Sequence, residues 1–125
     1  MRENISANGV FGENLAVKLL ESKGFEILER NFHSRFGEID IIARDAEYLI
    51  FAEVKTRSIG ASLGAPREAV DKAKQQKIIR TALHYLQNSN LPLQPRFDVI
   101  EVYLTPGAKH KIKHIQNAFE VGEHR

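Results

Sequence analysis

The stretch GEIDIIARDAEYLIFAEVKTR, residues 37–57, carries the information that decides the fold. It contains two runs dense in Ile, Phe, Val and Tyr, EIDIIAR and YLIFAEVKT, a composition that suits a pleated and largely buried surface. Between them Asp45, Ala46 and Glu47 make a short polar break, so the two runs predict an antiparallel hairpin. The second run is apolar on both parities until Glu53, as expected of a central strand covered on both faces.

The register of that hairpin has a chemical consequence. With a four-residue loop, Asp45 to Tyr48, Arg44 pairs with Leu49 and Asp40 lies opposite Glu53, with Cβ atoms about 5 Å apart. A two-residue loop at Asp45-Ala46 puts Glu53 on the diagonal instead, still on the same face because side-chain direction alternates along a strand. Lys55 shares the face in either case.

Before the hairpin, FEILERN from Phe25 reads as another strand, with a turn around Ser34 to Gly37 completing a three-strand meander. Residues 10–23 place Val10, Leu15, Val17, Leu19 and Leu20 on a helical stripe, and Gly24 is the expected left-handed stop. After the hairpin, SIGASLGAP at 58–66 reads as a mobile loop, and Pro66 suits the first turn of a second helix running to about Leu86. Its stripe is Ile79, Ala82, Leu83 and Leu86. A strand from Phe97 to Leu104, a turn at Pro106-Gly107 and a last strand near Ile112 to Ile115 complete the chain. The order α-β-β-β-α-β-β predicts one α/β domain over residues 1–125, a mixed β-sheet flanked by helices.

Composition narrows the chemistry. At 125 residues with 42% hydrophobic and 27% charged positions, the chain has the size and balance of a folded domain. It has no cysteine, which excludes disulfide frameworks, thiolate zinc sites, iron-sulfur clusters and cysteine nucleophiles. No run approaches the roughly 20 apolar residues of a membrane span, and Asn, Gly and Glu interrupt the N-terminal region before a secretion signal could form, so a cytoplasmic protein is expected. Net charge is +2, yet the first 60 residues carry eight Lys and Arg against ten Asp and Glu, and residues 61–95 carry five against two. An acidic half followed by a basic helix suits a carboxylate site beside a surface that attracts polyanions.

Asp40, Glu53 and Lys55 are the residues on which chemistry can be built. Adjacent buried carboxylates repel, and a divalent cation between their oxygens relieves that cost. Hard cations that prefer oxygen, Mg²⁺ or Mn²⁺, are the natural occupants; such an ion acidifies water and polarises a phosphoryl oxygen, with Lys55 orienting the water or offsetting phosphate charge. The structural alternative is an ordinary Glu53–Lys55 salt bridge on an exposed edge. Glu13 lies on the helical side of Ala16, Val17 and Leu20, so a carboxylate faces the sheet, either as an acidic partner of the site or as a boundary residue reaching water. Gln75 breaks the second helix's stripe in the same way. It is expected to meet substrate, with Lys72, Lys74 and Lys77 near phosphates, unless that helix end simply projects beyond the sheet. His110 and His114 have i, i+4 spacing on a strand-like segment without a third ligand, so zinc is not expected. Asp98, opening an apolar strand, reads as structural, bonded to Arg96 or a backbone amide.

These motifs resemble one family. Gly12-Glu13-x-x-Ala16, Arg30-Asn31, Gly37-Glu38-Ile39-Asp40, Phe51-Ala52-Glu53-Val54-Lys55-Thr56-Arg57, Lys74-Gln75-Gln76-Lys77, Arg96-Phe97-Asp98-Val99 and Asn117-Ala118-Phe119 are similar to the YraN-like bacterial proteins. Those are predicted nucleases of the PD-(D/E)XK, restriction-endonuclease-like superfamily, close in pattern to archaeal Holliday junction resolvases. The resemblance implies a restriction-endonuclease-like fold and a phosphodiesterase dependent on Mg²⁺ or Mn²⁺. Asp40 and Glu53 would be metal ligands with the Val54 carbonyl, Lys55 the catalytic lysine, Glu13 the helix-borne acid and Gln75 the polar residue of the following helix. Ile39 stands where the motif name has proline. DNA, branched or damaged, is the implied partner, and the likeness to resolvases implies a homodimer. The rival expectation is a nucleic-acid-binding module that keeps the fold with little catalytic power.

Overall fold

The structure, a computed structural model, describes residues 7–58 and 70–120. Helix α1 (Ala7–Ser22) is followed by strands β1 (Glu26–Ser34), β2 (Gly37–Arg44) and β3 (Tyr48–Ser58), helix α2 (Lys72–Gln87), and strands β4 (Gln94–Leu104) and β5 (Lys111–Phe119). The strands form one sheet in the order β1-β2-β3-β4-β5. Neighbours run antiparallel except β3 and β4, which are parallel. That pair is the one joined through α2, since parallel neighbours need a crossover connection. The α-β-β-β-α-β-β order and mixed sheet are those expected from the sequence.

The decisive hairpin adopts the four-residue loop. Asp45 Oδ1 accepts the N–H groups of Glu47 and Tyr48 at 2.8 and 2.7 Å, and Arg44 pairs with Leu49. An aspartate that captures backbone donors two and three residues ahead closes such a turn by itself.

Strand β3 is apolar on both parities because each face carries a helix. On one face Ala16 and Leu20 of α1 pack with Ile41, Ala43, Ile50, Ala52, Ile100 and Val102. On the other, Ile78, Ile79 and Ala82 of α2 pack with Ile42, Leu49, Phe51, Phe97 and Val99. Each buried Leu, Ile, Val or Phe side chain among these contributes about 1.5–3 kcal/mol. Helix α1 stops at Gly24, whose φ is +93°. There the Gly24 and Phe25 N–H groups reach the Glu21 and Leu20 carbonyls, and Phe25 and Leu20 meet in the core, the combination that ends a helix with a left-handed residue.

At its other end α1 approaches β3 closely at Gly12. A Cβ there would strike the Thr56 Oγ1 atom and lie 2.9 Å from Thr56 Cγ2. Gly12→Ala is therefore expected to cost about 1–3 kcal/mol in urea unfolding, and Thr56→Ala in the same chain should restore part of it.

Two expectations about α2 need correction. Leu83, assigned to the core stripe, is 47% exposed; the buried residues are Ile78, Ile79, Thr81 and Ala82. Thr81 is fully buried because its hydroxyl donates to the Lys77 carbonyl at 2.8 Å, and a threonine does not register when apolar residues are counted. The helix is thus rotated toward Ile78 and Thr81, which turns Lys74 toward the sheet and leaves Lys72 exposed. The helix begins at Lys72 behind the N-cap Asp71; Pro66 and the glycine-rich loop before it lie outside the described residues. The last strand is longer than expected, Lys111–Phe119.

Asp98 is structural, as expected, and satisfies both partners proposed for it. It is fully buried, and its oxygens accept two bonds from Arg96 at 3.0 and 2.8 Å and the Asn117 N–H at 3.0 Å. His114 adds a bond at 2.7 Å. His110 instead accepts the Thr105 N–H, so the two imidazoles serve different partners.

Candidate functional site

The β2–β3 ladder runs from Arg44–Leu49 to Ile41–Ala52 and ends one step short of Asp40 and Glu53. There the Asp40 side chain takes over from backbone: its Oδ2 accepts the Val54 N–H at 2.8 Å, satisfying a donor that would otherwise be orphaned where the strands part. Facing changes at the same point, Ile39 packing on the α2 side while Ile41 packs on the α1 side. In a strand, a residue's N–H and C=O point toward the same neighbour, so the Val54 carbonyl also faces the gap.

The gap is the floor of a cleft of about 790 Å³, lined by Asp40, Glu53, Val54 and Lys55 from the sheet and by Asp71, Lys74 and Lys77 from the α2 end. Asp40 is pushed up from 3.8 to about 7, first by burial and then by the Glu53 charge, with Glu13 adding to the effect and the Val54 bond opposing it. A hydrogen bond with the Glu53 carboxyl adds a further, smaller push in the same direction. Glu53 is only 8% exposed, and its Oε2 is ion-paired with Lys74 Nζ. Burial works against the Lys74 ammonium, but the bond to Glu53, supported by the Asp40 charge, holds its pKa above the ordinary lysine value.

Of the residues singled out from sequence, the structure brings together Asp40, Glu53, Val54, Lys55, Lys74 and Lys77 at this cleft. Glu13 faces the sheet and is 7% exposed, but it is held by Arg30 Nε at 3.1 Å and Asn31 Nδ2 at 3.2 Å; its charge reaches Asp40 without its side chain lining the cleft. Gln75 does not reach the cleft either. Its Nε2 donates to the Val70 carbonyl at 2.8 Å, tying down the backbone that leads into α2. Lys72 points away, for the rotation described above. Asp71, Thr56 and Arg57 line the cleft and carried no assignment. Asp71 was legible in principle, because an Asp three residues before a helical N–H is an N-cap signal, and it does accept the Lys74 N–H at 2.8 Å.

The donor set fits a hard divalent cation. Two carboxylates crowded into one buried spot, a backbone carbonyl on the same side and an open cleft match the way Mg²⁺ is held, by few protein oxygens and the remainder from water and substrate. Among the described residues no set of three or more His, Cys, Asp or Glu side chains is placed to hold an ion; Asp40, Glu53 and the Val54 carbonyl are the groups that would hold one here.

A mixed five-stranded sheet with one helix on each face, parting at its centre to present paired acids among lysines, is the restriction-endonuclease-like architecture that the motifs implied. The chain belongs to the UPF0102 family: the model described as "Uncharacterised protein family UPF0102" matches residues 12–102. A UPF0102 protein of Caldanaerobacter subterraneus subsp. tengcongensis is 49% identical over 114 residues, 89% of this chain and 93% of its own length. One from Clostridioides difficile is 49% identical over 117 residues, 93% and 99% of the two chains, and one from Nocardia farcinica is 46% identical over 114 residues, 90% and 89%. Among the described residues no helix is long and apolar enough to cross a membrane.

Proposed function

We propose that this UPF0102 chain is a divalent-metal-dependent nuclease that hydrolyses DNA phosphodiester bonds, with branched or damaged DNA as its substrate class. The observation that carries this reading is the crowding of Asp40 and Glu53 in a cleft lined by Lys55, Lys74 and Lys77. Like charges are pressed together at a cost that folding alone does not require, on the floor of a groove whose walls suit a polyanion. Asp40, Glu53 and the Val54 carbonyl would hold Mg²⁺ or Mn²⁺, which supplies acidified water and a polarised phosphoryl oxygen when bound. Lys55, on the same strand face as Glu53, orients the attacking water and offsets charge on the phosphate. Lys77, at the cleft wall, positions the backbone of the nucleic acid. Glu13, held by Arg30 and Asn31, adds negative charge behind Asp40 and so favours a cation over an empty site.

Cleavage of linear, flapped and four-way DNA with Mn²⁺, measured for the native chain and Lys55→Ala, tests this. Lys55→Ala is expected to lose at least about a hundredfold in cleavage rate, the scale of removing a group aimed at developing charge, while DNA affinity changes by less than about threefold because other cations still meet phosphate. Salt-dependent DNA binding without cleavage by either protein would favour the binding module. Absence of any salt-dependent DNA affinity would sink both readings.

A further inference from the structure

The N-cap Asp71 accepts the Lys74 N–H and so anchors the first turn of α2. From that anchor the Lys74 side chain reaches across to Glu53 and places its ammonium on Oε2. The Glu53 carboxylate is nearly buried, whereas the Lys74 side chain that reaches it from the cleft stays partly exposed, 44% against 10% for Glu53. The charges of both Glu53 and Asp40 act on it. Lys74 therefore stands where a divalent ion would stand: it is the cation of a two-carboxylate site. An ammonium and a divalent ion cannot both contact one carboxylate oxygen without strong repulsion. Lysine suits an exchangeable occupant, because it is a compact charge on a flexible stem with rotatable donors and imposes no fixed coordination geometry.

We propose that Lys74 is the resident counter-cation of this site and that a divalent metal takes its place on Glu53, releasing the ammonium to a phosphate oxygen in the cleft. This rests on the metal-site reading above. Lys74 accordingly keeps the two acids compatible with the fold before metal arrives and weakens metal binding by the amount of the ion pair that must be broken. By linkage, anything that draws Lys74 away, DNA phosphate included, tightens metal binding by the same factor.

Mn²⁺ binding to the full chain, followed by the electron paramagnetic resonance of free Mn²⁺, tests this without reference to activity. Lys74→Gln is expected to bind Mn²⁺ about tenfold tighter than the native chain, whereas Lys77→Gln, which removes the same charge from the cleft wall but not from Glu53, should differ by less than about threefold. Asp40→Asn marks the site by losing the ion. Equal affinity in the native, Lys74→Gln and Lys77→Gln chains, with Asp40→Asn silent, overturns the role of Lys74 and leaves the metal site standing. Failure of both the native and Lys74→Gln chains to bind Mn²⁺ overturns both; binding by Lys74→Gln alone supports the exchange. A thermal melt checks that Lys74→Gln is folded, and the native chain gives an independent readout. Acylation of Lys74, located by mass spectrometry, should rise about tenfold relative to Lys72 when Mn²⁺ is added, as expected when an ion-paired amine is released to solvent. Labelling that does not change with Mn²⁺ overturns the proposal.

Discussion

Asp40→Asn is expected to raise the stability of the metal-free chain at pH 8 by about 2–4 kcal/mol while abolishing Mn²⁺ binding and reducing cleavage at least about a hundredfold. Burial and the Glu53 charge lift the Asp40 carboxyl from 3.8 to about 7. In the unfolded chain the group gives up its proton near pH 4, whereas in the folded chain it holds the proton until about 7. The folded state thus binds more protons across that window. The stability this group contributes is fully present below about pH 4 and is lost as pH rises through about 7, at ~1.4 kcal/mol for each pH unit over which the proton is retained. Asparagine keeps an acceptor for the Val54 N–H and carries no charge, so it escapes the loss. Urea unfolding of both proteins in chelator at pH 4 and pH 8 should give similar values at the lower pH and the stated difference at the higher one. Adding Mn²⁺ at pH 8 should then stabilise the native chain by mass action and leave Asp40→Asn unmoved. A variant no more stable than the native chain at pH 8 would mean that the acids are not crowded, and the physical basis of the site would be gone.

Asp98→Ala should show the opposite separation, a large loss of stability with no direct effect on the cleft that holds Asp40 and Glu53. Three partners converge on this fully buried carboxylate: the Arg96 guanidinium, the His114 ring and the Asn117 N–H. Burial alone would raise its pKa, but the bonds from His114, Arg96 and the Asn117 amide outweigh it and hold the carboxyl below the ordinary value. The His114 ring is polarised from its other side. Lys23 Nζ lies 2.8 Å from Nδ1, and because an ammonium only donates, Nδ1 accepts while Nε2 donates to Asp98. The Asn117 backbone is in a left-handed conformation, φ +53°, at the register shift in the β4–β5 ladder, so the carboxylate also satisfies an N–H at an irregular point of the sheet. Removing it strands these donors, at about 3–5 kcal/mol. With a depressed folded pKa, the contribution is present above the unfolded value near 3.8 and disappears as pH falls through the folded one. Urea unfolding at pH 7 measures the cost, and a loss under about 1 kcal/mol would show that the network is ornamental.

Legibility followed physical cause. The hairpin could be read, with its loop narrowed to four residues or two, because strand composition and turn chemistry act over a few residues; the structure selects the four-residue loop, with Arg44 paired to Leu49. Asp40 and Glu53 could be placed together for the same reason, since a short hairpin leaves few registers. What that reading could not supply is the end of the ladder. The strands part at Asp40, so its carboxylate caps Val54 instead of merely facing Glu53.

The second helix is turned by a residue that apolar patterning does not count. Its apolar stripe runs through Leu83, whereas a fully buried threonine, Thr81, made tolerable by one bond to the Lys77 carbonyl, turns the helix toward Ile78. That rotation decides which lysine meets the carboxylates. It also leaves Gln75 bonded to its own chain and Lys72 in solvent.

The order of elements, the central strand and the residues able to bear charge were determined along the chain itself, because they depend on composition and neighbours a few positions away. Tertiary packing alone decided that Lys74 sits on Glu53, that Arg30 and Asn31 hold Glu13, and that Asp98 gathers His114 and the Asn117 amide besides its neighbour Arg96. These contacts join residues far apart in sequence, where a rotation of one helix or the parting of two strands selects one partner from several chemically equivalent candidates.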